Sequence, residues 1–313
     1  MEPTIRTFAA GDDAARVGIY NEAAAGLPKF KPATLDEIRR RARDRDFDPA
    51  AQFFAVVDDR PLGYCTFQPN GRVAFPWCRK GCERLAEPLF ERVLQDMKGR
   101  SITRAFAAYR TDWPAQRDFF LAHGFRHTHD MVNFVLELAD MPTPAGNVAR
   151  SITPLTRDDL AALAGLVPNV LRTSDPSELE RHFLHNLYFP PDAAFVLRTR
   201  DGQLAAAGIL VVNPAYADPH LVDAAMPCFR LGAFGTEGMT TKRINGLFSF
   251  LAPDGRDVSP RGLDLLGYAS QALGDTDVAT VGAQVSSAVP HLLKFYERYF
   301  RKQGSFPVFE REL

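Results

Sequence analysis

The fold is decided by two stretches, Phe119–Leu138, "FFLAHGFRHTHDMVNFVLEL", and Phe295–Leu313, "FYERYFRKQGSFPVFEREL". Each opens with an aromatic pair, continues a short helical run, passes basic residues and closes in a strand-like run ending Glu-Leu. The repeat extends outward. "TIRTFAAGDDAARVGIYNEA" (4–23) parallels "VARSITPLTRDDLAALAGLV" (148–167). Both read as a short strand, an acidic turn and an alanine-rich amphipathic helix. "QFFAVVDDRPLGYCTFQPNG" (52–71) parallels "AAFVLRTRDGQLAAAGILVVNP" (193–214). Both read as antiparallel hairpins.

The offset between copies grows along the chain, from Arg6/Arg150 to Phe119/Phe295. The second copy therefore carries extra residues, assigned to the segment 215–243. The stretch 139–149, "ADMPTPAGNVA", reads as a linker. This predicts two domains, 1–140 and 148–313, the second with an insertion near 215–243.

Within the first copy, Leu85, Leu89, Val93 and Met97 recur every fourth residue, which predicts an amphipathic helix. Pro88 is tolerated only in a first turn, so that helix is expected to start near Arg84 or Leu85. "SITRAFAAYR" (101–110) alternates as a strand, and 113–124 reads as a helix closed by Gly124. The fold class is α+β: two tandem domains, each a mixed, mostly antiparallel sheet flanked by helices. Neither GxGxxG nor GxxxxGK[ST] occurs.

Composition narrows the function. The chain has 313 residues, 46% hydrophobic and 24% charged, with a net charge of −1. It can build packed cores and carries no broad basic surface, so neither nucleic acid nor an anionic membrane is the expected partner. There is no run of 18 apolar residues and no basic-then-apolar leader pattern, so a cytoplasmic protein is expected. The four cysteines have no zinc-ligand spacing and read as free thiols. His123, His127 and His129 lack a carboxylate at matching ligand spacing and read as structural or surface residues; no metal is expected.

The element order, with "FYERYF" after a strand, resembles the GCN5-related N-acetyltransferase (GNAT) superfamily over nearly the whole chain, as a tandem pair. The penultimate helix of that family commonly ends in a Phe-Tyr-Glu-Lys-x-Gly-Phe phrase. "FFLAHGF" keeps its shape without the tyrosine, and "FYERYF" keeps the tyrosine without the glycine. The resemblance implies an acyl-CoA-dependent N-acyltransferase using acetyl-CoA or another acyl-CoA. Its acceptor would be an amine of a small molecule or peptide, acylated by direct transfer. It also implies a pyrophosphate loop before the central helix of each copy. In the first copy that loop is Cys78-Arg79-Lys80-Gly81-Cys82-Glu83, with Glu83 in place of the second glycine. In the second copy Arg256, Ser259, Arg261 and Gly262 fall in the corresponding stretch, at a different glycine spacing.

The residues carry part of this on their own. Arg79, Lys80 and Arg84 stand where a helix begins, the positive end of its dipole, an arrangement that suits an anion among them. The competing reading is three solvated side chains. Arg256 and Arg261 repeat the theme, opposed by Asp254 and Asp257. Tyr296 occupies the position from which, by the resemblance, a phenol protonates the leaving thiolate. Val289, Leu293, Tyr296 and Phe300 also form a stripe at helical spacing, so a core tyrosine competes. The first copy has Phe120 there, which donates no proton. Glu237, flanked by glycines in "GAFGTEGMTTKR", is read as the base for the amine, directly or through water, against a solvated turn glutamate. Two other readings stand beside the enzyme: an inactive ligand-binding or regulatory protein on the same fold, and an aminoacyl-tRNA-dependent peptidyltransferase.

Overall fold

A computed structural model describes residues 3–28, 30–42, 47–142, 152–167, 171, 174–186, 188–190, 192–213, 246–274 and 276–313. The chain forms two compact units, residues 1–129 with 306–313 and residues 130–305. This division differs from boundaries at 140 and 148. The last strand of each sequence copy is shared out, its first residues staying with its own unit and the rest completing the other.

Unit 1 begins with β1 (Thr4–Thr7), α1 (Asp12–Ala24) and α2 (Leu35–Arg41). The hairpin β2 (Gln52–Val57) and β3 (Arg60–Thr66) follows, turning at Asp58 and Asp59, both at positive φ. Then come β4 (Trp77–Cys78), a 3₁₀ turn at Glu83–Leu85 and α3 (Ala86–Gly99). Pro88 thus sits in the first turn of α3, where its missing N–H costs no helical bond. β5 (Arg104–Ala108) and α4 (Pro114–Ala122) follow, with Gly124 at φ +78° after the helix. Strands β1 to β4 form an antiparallel sheet in sequence order.

Two faces of β2 are buried, as alternation dictates. Phe53 and Ala55 join the core under α3 with Leu89, Phe90, Val93 and Met97. Phe54 and Val56 join the opposite cluster under α1 with Ile19, Tyr64, Trp77 and Trp113. The chain's C-terminal residues close the unit. Val308–Glu312 of β12 (Arg301–Glu312) pair antiparallel with β5, and Phe309 lies in the α3 core.

In unit 2 the corresponding strand comes from β6 (Arg126–Glu137). Its residues Met131–Glu137 pair antiparallel with β11 (Thr280–Ser286). The rest are β7 (Ile152–Pro154), α5 (Leu160–Leu166), α6 (Pro176–Phe183), β8 (Ala194–Arg198), β9 (Leu204–Val212), β10 (Gly246–Leu251), α7 (Val258–Leu273) and α8 (Pro290–Tyr299). The sheet order runs β6-β11-β10-β9-β8-β7. Phe195 and Leu197 of β8 face the core under α7 and α8. Ala194 and Val196 face the core under α5 and α6. The insertion assigned to 215–243 lies outside the described residues.

A buried carboxylate anchors the first helix of each unit. Asp12 takes a two-pronged bond from Arg6, at 2.6 and 3.0 Å, and the Ala9 N–H. Asp159, in a capping box with Thr156, takes Arg198 at 2.6 Å. The job is the same, but the arginine comes from β1 in one unit and β8 in the other.

Candidate cofactor sites

Among the described residues each unit has one parallel strand contact, and in each it is brief. In unit 2, β10 and β11 pair only at Gly246↔Val281 and Leu247↔Gly282. In unit 1, the chain before β4 meets β5 through Phe106 N–H to Gly71 and Val73 N–H to Phe106. Beyond these contacts no further parallel pairing joins the strands among the described residues.

Aromatic side chains pack beside both strand pairs. In unit 1 the Tyr109 hydroxyl accepts the Phe75 N–H at 2.6 Å. Phe75 packs edge-on against Trp77 and Phe119, and Tyr109 stacks on Phe120 at 5.5 Å. In unit 2, Phe250 of β10 meets Phe295 edge-on at 4.6 Å and Tyr296 at 5.7 Å. Tyr296 also stacks on Phe134 at 5.7 Å and is only 1% exposed. Phe120, the matching residue of unit 1, is 0% exposed. The position is therefore interior in both units, whichever side chain it carries. On the other face of β10, Ser249 and Leu251 border an apolar pocket with Leu155, Leu163 and Phe183.

The loop before α3 has the basic residues expected of it, and its amides already have partners. Arg79 N–H bonds Leu62 and Cys82 N–H bonds Arg79. Lys80 N–H donates to Glu22 of α1 at 3.0 Å, and Gly81 N–H to Glu83 at 2.9 Å. The Arg79 guanidinium reaches Glu22 at 2.5 Å. Both carboxylates titrate below their usual range: Glu22 chiefly because of the Lys80 amide, Glu83 because of backbone amides led by its own. Gly81 has φ +80°, the left-handed region that glycine enters without strain. Arg84 is exposed on the 3₁₀ turn. Cys82 is half-buried beside it, while burial pushes Cys78 up to about 12 and raises Cys65 further. Neither of those two thiols is a ready nucleophile.

In unit 2 the corresponding residues are divided between the loop 252–257 and the helix that follows. α7 begins at Val258, so Ser259 and Arg261 lie in its first turn and Gly262 just beyond. Gly262 is no phosphate cradle. A Cβ there would fall 2.6 Å from Phe295 and 2.8 Å from Phe250, so glycine is required by packing against these rings. Arg256 is exposed just ahead of the helix, and Arg261 pairs with Asp257 at 3.5 Å. The Asp257 N-cap side chain takes none of the first-turn amides. Glu237 lies outside the described residues.

Among the described residues no three His, Cys, Asp or Glu side chains are grouped to hold a metal ion. His123 instead bonds the Phe119 carbonyl and Glu87. Also among the described residues, no helix is long and apolar enough to cross a membrane. Sequence reasoning missed Glu22 and Tyr109. No local signal marks Glu22, because its partner lies 57 positions away.

Together these features define an α+β protein of two like units, each with a briefly paired parallel strand pair. No protein-family pattern matches the sequence, and no characterised protein matches it in sequence. Solved structures do match it in fold. A GCN5-related N-acetyltransferase from Sphaerobacter thermophilus aligns over 99% of this chain and 95% of its own, with a TM-score of 0.62 at 12% identity. A tandem GNAT protein from the clavulanic acid biosynthesis pathway covers 99% and 98%, with a TM-score of 0.55 at 13% identity. A glucosamine N-acetyltransferase region of a fungal multi-domain GH3 β-N-acetylglucosaminidase covers 99% of this chain, which spans 38% of that one, with a TM-score of 0.67 at 12% identity. The chain has the GNAT fold in tandem; at these identities the likeness is one of fold.

Proposed function

We propose that the protein is an acyl-CoA-dependent N-acyltransferase acting on an amine of a small molecule or peptide, with its cofactor held by unit 2. The observation that carries this reading is the contrast between the two helix starts. In unit 1 the chain's own carboxylates take the loop amides, so the residues there do not fit a diphosphate. In unit 2, Arg256, Ser259 and Arg261 stand at the start of a 16-residue helix whose N-cap side chain bonds no amide. Two guanidinium groups, a hydroxyl and a helix dipole are a fitting donor set for a diphosphate, with Asp254 and Asp257 moderating it.

An acyl-CoA supplies the activated acyl carbon and the thiolate leaving group. The chain's residues then have three tasks. Arg256 and Arg261 hold the anion at the α7 end. The strands β10 and β11, paired at only two positions, take the acyl-bearing arm between them. Tyr296, beside Phe250, gives its phenol proton to the departing sulfur. Glu237 takes the proton from the attacking amine. The C–N bond forms as the C–S bond breaks, with no covalent enzyme intermediate. The proposal is tested by following acyl transfer to a panel of amines. Acylated product and free thiol in equal amounts support it, and no turnover with any acyl-CoA overturns it.

One observation favours a second reading, a ligand-binding protein without turnover. Tyr296 packs like its silent counterpart Phe120, both enclosed by aromatic rings. Binding of CoA without turnover would support it.

A further inference from the structure

We infer that Glu22 and Glu83 act as built-in anions that keep the loop before α3 closed to phosphate ligands, so that unit 1 is self-occupied rather than merely lacking a site. This rests on the same occupied amides that the proposed function contrasts with the α7 helix start.

The loop has what a phosphate cradle needs: a glycine in the left-handed region, an arginine, a lysine, and amides ahead of a helix. What sets it apart is where those donors point. Glu22 takes both the Arg79 guanidinium and the Lys80 N–H, one carboxylate spanning a side-chain and a backbone donor of adjacent loop residues. Glu83 folds back to take the Gly81 N–H. The helix α1 is shaped for this. Gly18, one turn before Glu22, leaves room for the guanidinium, since a Cβ there would lie 3.3 Å from an Arg79 terminal nitrogen. Space at Gly18 and charge at Glu22 together draw Arg79 onto α1. An incoming phosphate would have to displace both carboxylates or face their repulsion at contact distance.

Both glutamates lie on the surface, so replacing them leaves the core intact. The test is calorimetric titration of inorganic pyrophosphate into the full chain. The double variant E22Q/E83Q is expected to bind at least about tenfold tighter than the wild type, since like-charge contacts of this kind are costly. Adding R79A to that variant is expected to abolish the gain. No gain in E22Q/E83Q would overturn the proposal. So would a gain that survives R79A, or wild-type binding that R79A removes. None of these outcomes depends on turnover in unit 2.

Discussion

The two helix starts, one before α3 and one before α7, present the same problem with different solutions. Before α3 the chain keeps the loop and fills it, with Glu22 arriving from α1 and Glu83 from within. Before α7 the loop 252–257 leads into a helix whose Asp257 N-cap side chain bonds no amide, and the nearby Gly262 serves aromatic packing. A glycine near a helix start thus means two things. At Gly81 it serves backbone conformation, with open space where a side chain would go; at Gly262 it serves the space itself. Spacing in sequence separates neither case, and only the surroundings do.

The comparison is broken most severely by removing the exchanged strand. Deleting residues 306–313 takes Phe309 from the unit 1 core and leaves β5 an exposed edge. A single buried Phe deletion costs about 3–5 kcal/mol, and the lost ladder adds to it. Hydrogen exchange at Ala105 and Ala107 should lose its protection while unit 2 amides keep theirs. Unchanged protection would mean that unit 1 does not need the strand.

Next in size is Tyr296→Phe. If the phenol protonates the thiolate, turnover falls by about 10²-fold with little change in stability. Equal turnover would make Tyr296 the counterpart of Phe120 in role as well as position.

Gly262→Ala sharpens the contrast between the glycines. Crowding Phe295 and Phe250 should lower unit 2 stability by about 1–3 kcal/mol. Gly81→Ala meets no neighbour and should cost only the left-handed backbone penalty of about 1–2 kcal/mol. Urea unfolding of the two variants would check both, and an unchanged midpoint in Gly262→Ala would contradict the packing assignment.

The smallest effect is the pH response of the two helix anchors. Burial pushes Asp12 up, but the Arg6 fork and the Ala9 amide outweigh it, so it titrates below its usual range. Asp159 follows the same balance, with burial opposed by Thr156 and Arg198. A depressed folded-state pKa contributes stability above the unfolded value, about 3.9, and loses it as pH falls through the folded value. Stability should therefore drop below about pH 4 in the wild type, and less steeply in D12N and D159N. An equally steep drop in both variants would remove the anchors from the account.

Much of the fold was legible because it rests on short-range patterns. The four-residue spacing from Leu85 to Met97, Pro88 in a first turn and the two hairpins each encode local geometry. The strand exchange was not legible. The run 126–137 reads as a strand, but its pattern does not say which edge it will join. Of the site, the basic residues before α3 were visible, and their partner Glu22 was not, since nothing in "YNEAAAG" distinguishes it. Tyr296 showed both the helical stripe and the family phrase, and its enclosure by Phe134 depends on a strand from the other sequence copy.

The central claim is that unit 2 and not unit 1 seats the cofactor. Calorimetric titration of CoA into the full chain tests it most directly. The account predicts one site per chain, unaffected by R79A and weakened at least about tenfold by R256A/R261A, the expected loss of two charge-assisted phosphate contacts. Binding that R79A destroys and R256A/R261A leaves intact would contradict it.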